Sequence, residues 1–124
     1  METLGNLYIE ATKSAPEIDF NINGHLRIEG RAMPDNAARI FEPLFAWVEK
    51  LTASEVVFDI KMDYLNTSSS MQLFALLRKL EENCIIEELT VNWHYEADDE
   101  DHYDTGLFYE EKLYRTKFNY HTAA

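Results

Sequence analysis

Two stretches of this chain alternate so cleanly that they restrict the fold before anything else is considered. In the first, Val56, Phe58, Ile60, Met62 and Tyr64 are interleaved with Asp59, Lys61 and Asp63. In the second, Leu89, Val91, Trp93 and Tyr95 alternate with Thr90, Asn92, His94 and Glu96. Successive side chains of a strand point to opposite faces, so each segment is a strand with one apolar and one polar face. A doubly wound sheet buries both faces, and its central strands read as unbroken apolar runs. Alternation here predicts a sheet packed by helices on one face and wet on the other. Trp93 falls on the packed face and His94 on the wet one.

The remaining elements fit around these strands. Leu7, Ile9 and Ala11 alternate with Tyr8, Glu10 and Thr12, and Ile18, Phe20 and Ile22 alternate with Asp19 and Asn21. Asn23-Gly24 follows, and then Leu26 and Ile28 alternate with His25, Arg27 and Glu29, which predicts a hairpin with a type I′ turn. Pro34-Asp35-Asn36 opens a helix carrying Ala37, Ile40, Phe41, Leu44, Val48 and Leu51 at helical spacing. Pro43 falls inside it and predicts either a kink or a split into two shorter helices. The place of Trp47, beside Val48, stays open at this level. A second helix is expected over about 69–83, with Leu73, Leu76, Leu77 and Leu80 inward and Phe74 beside them. A third is expected over about 101–114 with Tyr103, Leu107 and Tyr114 inward, and a last strand over about 117–120. The order is β-β-β-α-β-α-β-α-β, an α/β chain with one mixed sheet and helices on one face. No repeat, low-complexity tract or linker divides the chain, so residues 1–124 read as one domain. With 46% apolar residues it can build a core without disulfides.

Charge and motifs exclude several functions. Twenty-three acidic against eleven basic residues give a net charge of −12. Phosphate backbones and anionic membranes repel such a chain, whereas basic protein surfaces attract it. The same charge also serves solubility. The N-terminus carries neither the basic nor the apolar region of a signal peptide, and no apolar run reaches membrane-spanning length, so a cytoplasmic location is expected. The single cysteine, Cys84, lies in Asn83-Cys84-Ile85-Ile86 with no basic neighbour and reads as a structural thiol. Glu96, Asp98, Asp99, Glu100, Asp101 and His102, near His94, suggest metal ligands. Aligned as an EF-hand on Gly106, however, they put Tyr103 at a ligand position and Lys112 where glutamate is required. His25, His94, His102 and His121 lack ligand spacing. Ser68, His94 and Asp63 supply hydrolase residue types, but no Gly-x-Ser-x-Gly elbow exists. No catalytic residue, metal or cofactor is expected, and the chain does not read as an enzyme.

One segment is richer in hydroxyls than structure requires. Asn66-Thr67-Ser68-Ser69-Ser70-Met71-Gln72 joins the first of the two clear strands to the second helix. Asn, Thr and Ser cap helix N-termini, and Ser69 with Gln72 has capping-box spacing. A helix N-terminus also tolerates phosphate, because its N–H groups are free and its dipole end is positive. Spacing and composition leave both a plain cap and a phosphorylation site open.

The block Tyr64-Leu65-Asn66-Thr67-Ser68-Ser69 resembles the SiaC family of bacterial regulatory phosphoproteins. So do Ile9-Glu10-Ala11-Thr12-Lys13, Pro34-Asp35-Asn36-Ala37 with Pro43-Leu44 and Trp47, and Val91-Asn92-Trp93-His94-Tyr95-Glu96. The resemblance runs in order from about residue 4 to residue 101. Met33 stands where the family usually has tyrosine, and the connection 83–86 lacks its usual glycine. The resemblance implies a STAS-like fold, that of anti-sigma-factor antagonists. It implies phosphorylation at Thr67 by a SiaB-like protein kinase and dephosphorylation by a SiaA-like phosphatase of the PP2C type. It implies that the unphosphorylated form binds and activates a SiaD-like diguanylate cyclase, in cyclic di-GMP signalling that promotes aggregation or biofilm. Asn66, Ser68, Ser69, Ser70 and Gln72 are the expected partner contacts. An anti-sigma-factor antagonist in a partner-switching cascade is the alternative within the same fold.

Overall fold

The computed structural model describes residues 4–33 and 37–123. The elements follow in the expected order: β1 (Leu7–Ile9), β2 (Glu17–Phe20), β3 (His25–Arg31), α1 (Ala37–Glu49), β4 (Glu55–Tyr64), α2 (Thr67–Glu82), β5 (Glu88–Glu96), α3 (Glu100–Lys112) and β6 (Lys117–Ala123). The six strands lie in one sheet in sequence order. β1–β2 and β2–β3 are antiparallel, and the pairs from β3 to β6 are parallel. Each parallel step needs a helical crossover, and three right-handed crossovers moving one strand at a time put the helices on the same face. Ile28, Phe58, Ile60, Val91 and Trp93 are fully covered on that face, against Phe41, Leu44, Leu73, Leu76 and Leu77 of the helices. The other face carries an open polar row. Asp59 at its centre accepts from Asn92 at 2.9 Å and lies 2.8 Å from His25 Nε2.

Several local expectations are corrected. The β2–β3 hairpin is present, but its turn is not type I′. No non-glycine residue has positive φ among the described residues, and Gly24 alone adopts φ 101° in this turn. Gly24 N–H donates to Asn21 O at 3.0 Å, closing a turn that ends in a left-handed glycine, the three-residue alternative to the two-residue loop. Gly24 is further required by β4: a Cβ there would lie 2.1 Å from Glu55 O. β1 stops at Ile9, short of Ala11, and β6 runs three residues past Tyr120. The Pro34-Asp35-Asn36 start of α1 lies outside the described residues. α1 itself runs through exposed Pro43 as one helix and does not split. Trp47 is core, with Nε1 donating to Gly5 O at 2.8 Å. Cys84 is exposed in the turn after α2 rather than packed.

The inward face of α3 is also different. Its buried residues are His102, Gly106 and Tyr109, while Leu107 and Tyr114 are exposed and Tyr103 is half-buried. Gly106 decides this. A Cβ there would meet the Trp93 indole at 2.8 Å, so the helix seats its glycine face on that ring. The imidazole of His102 stacks on the same indole, with centroids 4.9 Å apart, and Trp93 Nε1 donates to His102 O at 3.1 Å. Burial pushes the His102 pKa down, against the opposing pull of Asp99.

Polar side chains tie off the helix C-termini. Asn83 Nδ2 donates to Val48 O and Leu51 O at the end of α1. Arg115 donates to Glu81 O (2.7 Å), at the end of α2, and to Asn83 O (3.1 Å) and Ile86 O (2.8 Å) in the turn that follows, tying the helix end to that turn. The carboxylate of Glu81, buried to 2% exposure, accepts from Arg115 N and Thr116 N, each at 2.9 Å, and from Thr116 Oγ1 at 2.7 Å. Burial raises its pKa, but these hydrogen bonds outweigh it and hold the carboxyl below its ordinary value. A depressed carboxylate stabilises the fold above its unfolded pKa, and this contribution disappears as pH falls through the folded value. Glu81→Gln is therefore expected to cost about 2 kcal/mol at neutral pH. The gap from the unsubstituted protein, measured by urea denaturation, should close as pH drops below about 4.

Candidate functional site at the mouth of the second helix

β4 delivers the chain to the carboxyl edge of the sheet, and α2 starts after two intervening residues, Leu65 and Asn66. The cap is Asn66, not Ser69. Its Oδ1 accepts the Ser69 N–H at 2.9 Å, and its backbone carbonyl accepts the Ser70 N–H at 2.9 Å. With Ser69 N–H taken by Asn66, the expected Ser69–Gln72 box has no role, and the helix opens at Thr67. Asn66 Nδ2 also donates to Ala32 O at 3.0 Å, fastening the mouth to the segment that leaves β3.

Starting the helix at Thr67 separates the four hydroxyls. Thr67 and Ser68 are exposed, Ser69 is fully buried with no hydrogen-bond partner for its Oγ, and Ser70 is half-buried. Ser70 Oγ lies 2.8 Å from Tyr109 Oη, and Tyr109 Oη donates to Ser70 O at 2.5 Å. Burial pushes the Tyr109 phenol up to about 12, with the Ser70 hydrogen bond acting the other way. Of the contact residues expected from sequence, Ser69 is therefore removed, because its side chain lies in the core. Asn66 and Gln72 are half-buried. Met71, which sequence reading left out, is 68% exposed one turn after Thr67. Its signal was the i, i+4 spacing, which places it on the Thr67 face. Phe108, next to Tyr109 on α3, is also exposed.

The mouth suits an added anion. The N–H groups of Thr67 and Ser68 have no acceptor within the helix, and no acidic side chain occupies its first turn. The acidic stretch assessed as a metal site does other work. Asp99 caps α3 by accepting the His102 N–H at 3.0 Å, and Glu100 and Asp101 fill its first turn, where they favour the dipole. Among the described residues no group of three His, Cys, Asp or Glu side chains is placed to hold a metal ion. Nor is any helix among them long and apolar enough to cross a membrane.

A family model described as SiaC family regulatory phosphoprotein matches residues 9–123. This chain belongs to the SiaC family. The match passes well beyond residue 101, so the tail of the chain is part of it. An uncharacterised protein of Pseudomonas aeruginosa (strain UCBPP-PA14) is 30% identical over 102 residues, spanning 78% of this chain and 81% of that protein. SiaC of P. aeruginosa superimposes with a TM-score of 0.80 at 26% identity, over 94% of this chain and 99% of that one. A chain in the crystal structure of the P. aeruginosa diguanylate cyclase SiaD in complex with its activator SiaC matches with a TM-score of 0.79 at 27% identity. It covers 93% of this chain and 99% of its own length. The six-stranded sheet with three helices is thus the architecture of SiaC structures.

Asn66 carries both the cap and the tie to Ala32 O. Asn66→Ala is expected to lower stability by about 1–2 kcal/mol. The loss should appear in thermal denaturation, together with faster amide exchange at Ser69 and Ser70 and little change near Leu80.

Proposed function

We propose that this chain is a phosphorylation-switched activator of a diguanylate cyclase, with Thr67 the phosphorylated residue and the unphosphorylated form the active one. The observation that carries the reading is the exposed Thr67 hydroxyl on the first residue of α2, a helix whose first turn holds no acidic side chain. Its setting in a SiaC-family chain supports it, as does the P. aeruginosa relative that is the activator of SiaD. That relative also favours a cyclase over a sigma-factor cascade as the output.

The chemistry asks little of this chain. A SiaB-like kinase transfers the γ-phosphoryl of ATP to Thr67 Oγ1. The bond to the β-phosphate oxygen breaks, ADP leaves, and the threonine proton passes to a base on the kinase. A SiaA-like PP2C-type phosphatase hydrolyses the ester, which keeps the switch reversible. Thr67 is a substrate position here, and the chain itself acts by binding, without a catalytic group or cofactor, in the cytoplasm where ATP and the cyclase product are found.

The partner surface centres on Thr67, Ser68 and Met71, with the accessible edges of Asn66, Ser70 and Gln72. Phosphorylation adds about −1.5 to −2 of charge and three acceptor oxygens beside the exposed Met71 side chain. The free N–H groups of the mouth accommodate that charge, so the domain stays folded. A partner that buries Met71 would also have to strip water from the phosphate, and it is excluded.

Incubation with the cognate kinase and Mg-ATP, followed by mass spectrometry, should place one phosphate on Thr67. Thr67→Ala should activate the cyclase as the unsubstituted chain does, and Thr67→Asp should need at least tenfold more protein for half-maximal activation. Phosphate at another residue, or equal activation by both variants, overturns the reading.

A further inference from the structure

The Ser70–Tyr109 contact is the described hydrogen-bonded link between α3 and the first turn of α2, and it involves a phenol that is 2% exposed. The geometry around it is complete. Tyr109 packs edge-on against Trp93, with centroids 5.4 Å apart, and its ring meets Phe74 of α2 at 5.3 Å. The ring is therefore fixed by core contacts, and its hydroxyl reaches out to meet both the carbonyl and the hydroxyl of Ser70. On the other side of the same turn, Asn66 bonds the Ser69 and Ser70 N–H groups and the carbonyl of Ala32. The first turn of α2 is held from two sides, and Thr67 is the residue carried between them.

Helix ends otherwise fray, because the first turn lacks the full set of intrahelical bonds. A partner that recognises an ordered mouth binds only the ordered fraction, and its apparent affinity falls in proportion to that fraction. We propose that Tyr109 is a positioning residue for the switch: its buried hydroxyl latches the first turn of α2 to α3 and holds Thr67 and Met71 in the arrangement the cyclase recognises. The inference rests on the reading of this helix mouth as the cyclase-binding site. Tyr109 touches neither the phosphorylated atom nor the exposed face and acts only through Ser70.

Tyr109→Phe keeps the ring against Trp93 and Phe74 and removes only the latch. The variant and the unsubstituted protein are compared by thermal denaturation, by amide hydrogen exchange resolved along α2, and by titration into the cognate diguanylate cyclase. The expected result is a melting temperature lower by only a few degrees. Exchange should be about tenfold faster at Ser69 and Ser70 and unchanged near Leu77 and Leu80. The protein concentration for half-maximal cyclase activation should rise about threefold with the same plateau, as an ordered fraction reduced to about a third requires. Ser70→Ala keeps the Tyr109 bond to the Ser70 carbonyl and should give an intermediate rise. A purely structural role would lower the melting temperature and leave the half-activation concentration alone. Wild-type exchange at Ser69 and Ser70, or half-activation within twofold of the unsubstituted protein, overturns the latch. If Tyr109→Phe fails to fold, Ser70→Ala decides by amide exchange at Ser69 alone, because Ser70 itself borders the partner surface, and unchanged exchange there overturns the latch. An unsubstituted protein that never activates the cyclase overturns the binding-site reading instead, and with it the positioning role. The exchange data then still report whether the hydroxyl holds the turn.

Discussion

The three parallel crossovers that join β3 to β6 all lie on one side of the sheet, and most of the structure follows from that placement. With the helices on one face, the strands must present apolar side chains to them and polar side chains to water, giving the alternation seen in Val56–Tyr64 and Leu89–Glu96. Each helix must also begin near the carboxyl edge, where its strand ends. The mouth of α2 therefore opens at an edge of the molecule, with Tyr109 of α3 against its first turn, without any loop built for the purpose. A doubly wound arrangement of the same strands would have surrounded this edge with helices from both sides.

The element order and the one-sided sheet were legible because they rest on period-two and period-3.6 patterns, which survive any detail of packing. What was not legible rests on single contacts. Asn23-Gly24 marked the hairpin, but the turn type depended on how closely Gly24 approaches Glu55, a residue of β4 that sequence cannot place beside it. The inward face of α3 was misread because His102 and Gly106 are not apolar letters. They face inward because an indole from β5 needs a flat partner and an absent Cβ. The bonds from Glu81 and Arg115 join α2 to the start of β6 across more than thirty positions. An acid and a base within a charged chain give no sign of such burial.

The candidate site shows the same division. Thr67 was visible as one of four adjacent hydroxyls, and family resemblance singled it out. The start of the helix then decides what each of the four does. A cap at Asn66 turns Thr67 and Ser68 outward, sends Ser69 into the core and leaves Ser70 to Tyr109. A cap at Ser69 would have placed Thr67 in the loop, with a different set of neighbours. Met71 was missed because its i, i+4 spacing from Thr67 is a signal only once the helix is known to start at Thr67. Its meaning depends on sharing a helical face with Thr67.

Magnitudes indicate why a phosphate at this position would act on partners rather than on the fold. At the first residue of a helix the charge interacts with the free N–H groups and the dipole, worth about 0.3–1 kcal/mol in favour of the folded state. Covering the same group in an interface removes its water, and the effective penalty for an unpaired ion is several kcal/mol. Each 1.4 kcal/mol is about a factor of ten in affinity. The two effects have opposite signs and unequal sizes, so the modified chain would keep its fold while losing a partner that needs the Met71 face dry. That separation holds only if the turn is already ordered. Were the mouth frayed, a phosphate could also promote helix formation there, and part of the lost binding would return as pre-organisation. Asn66 on one side and Tyr109 on the other remove that compensation, leaving charge as the variable that the modification changes.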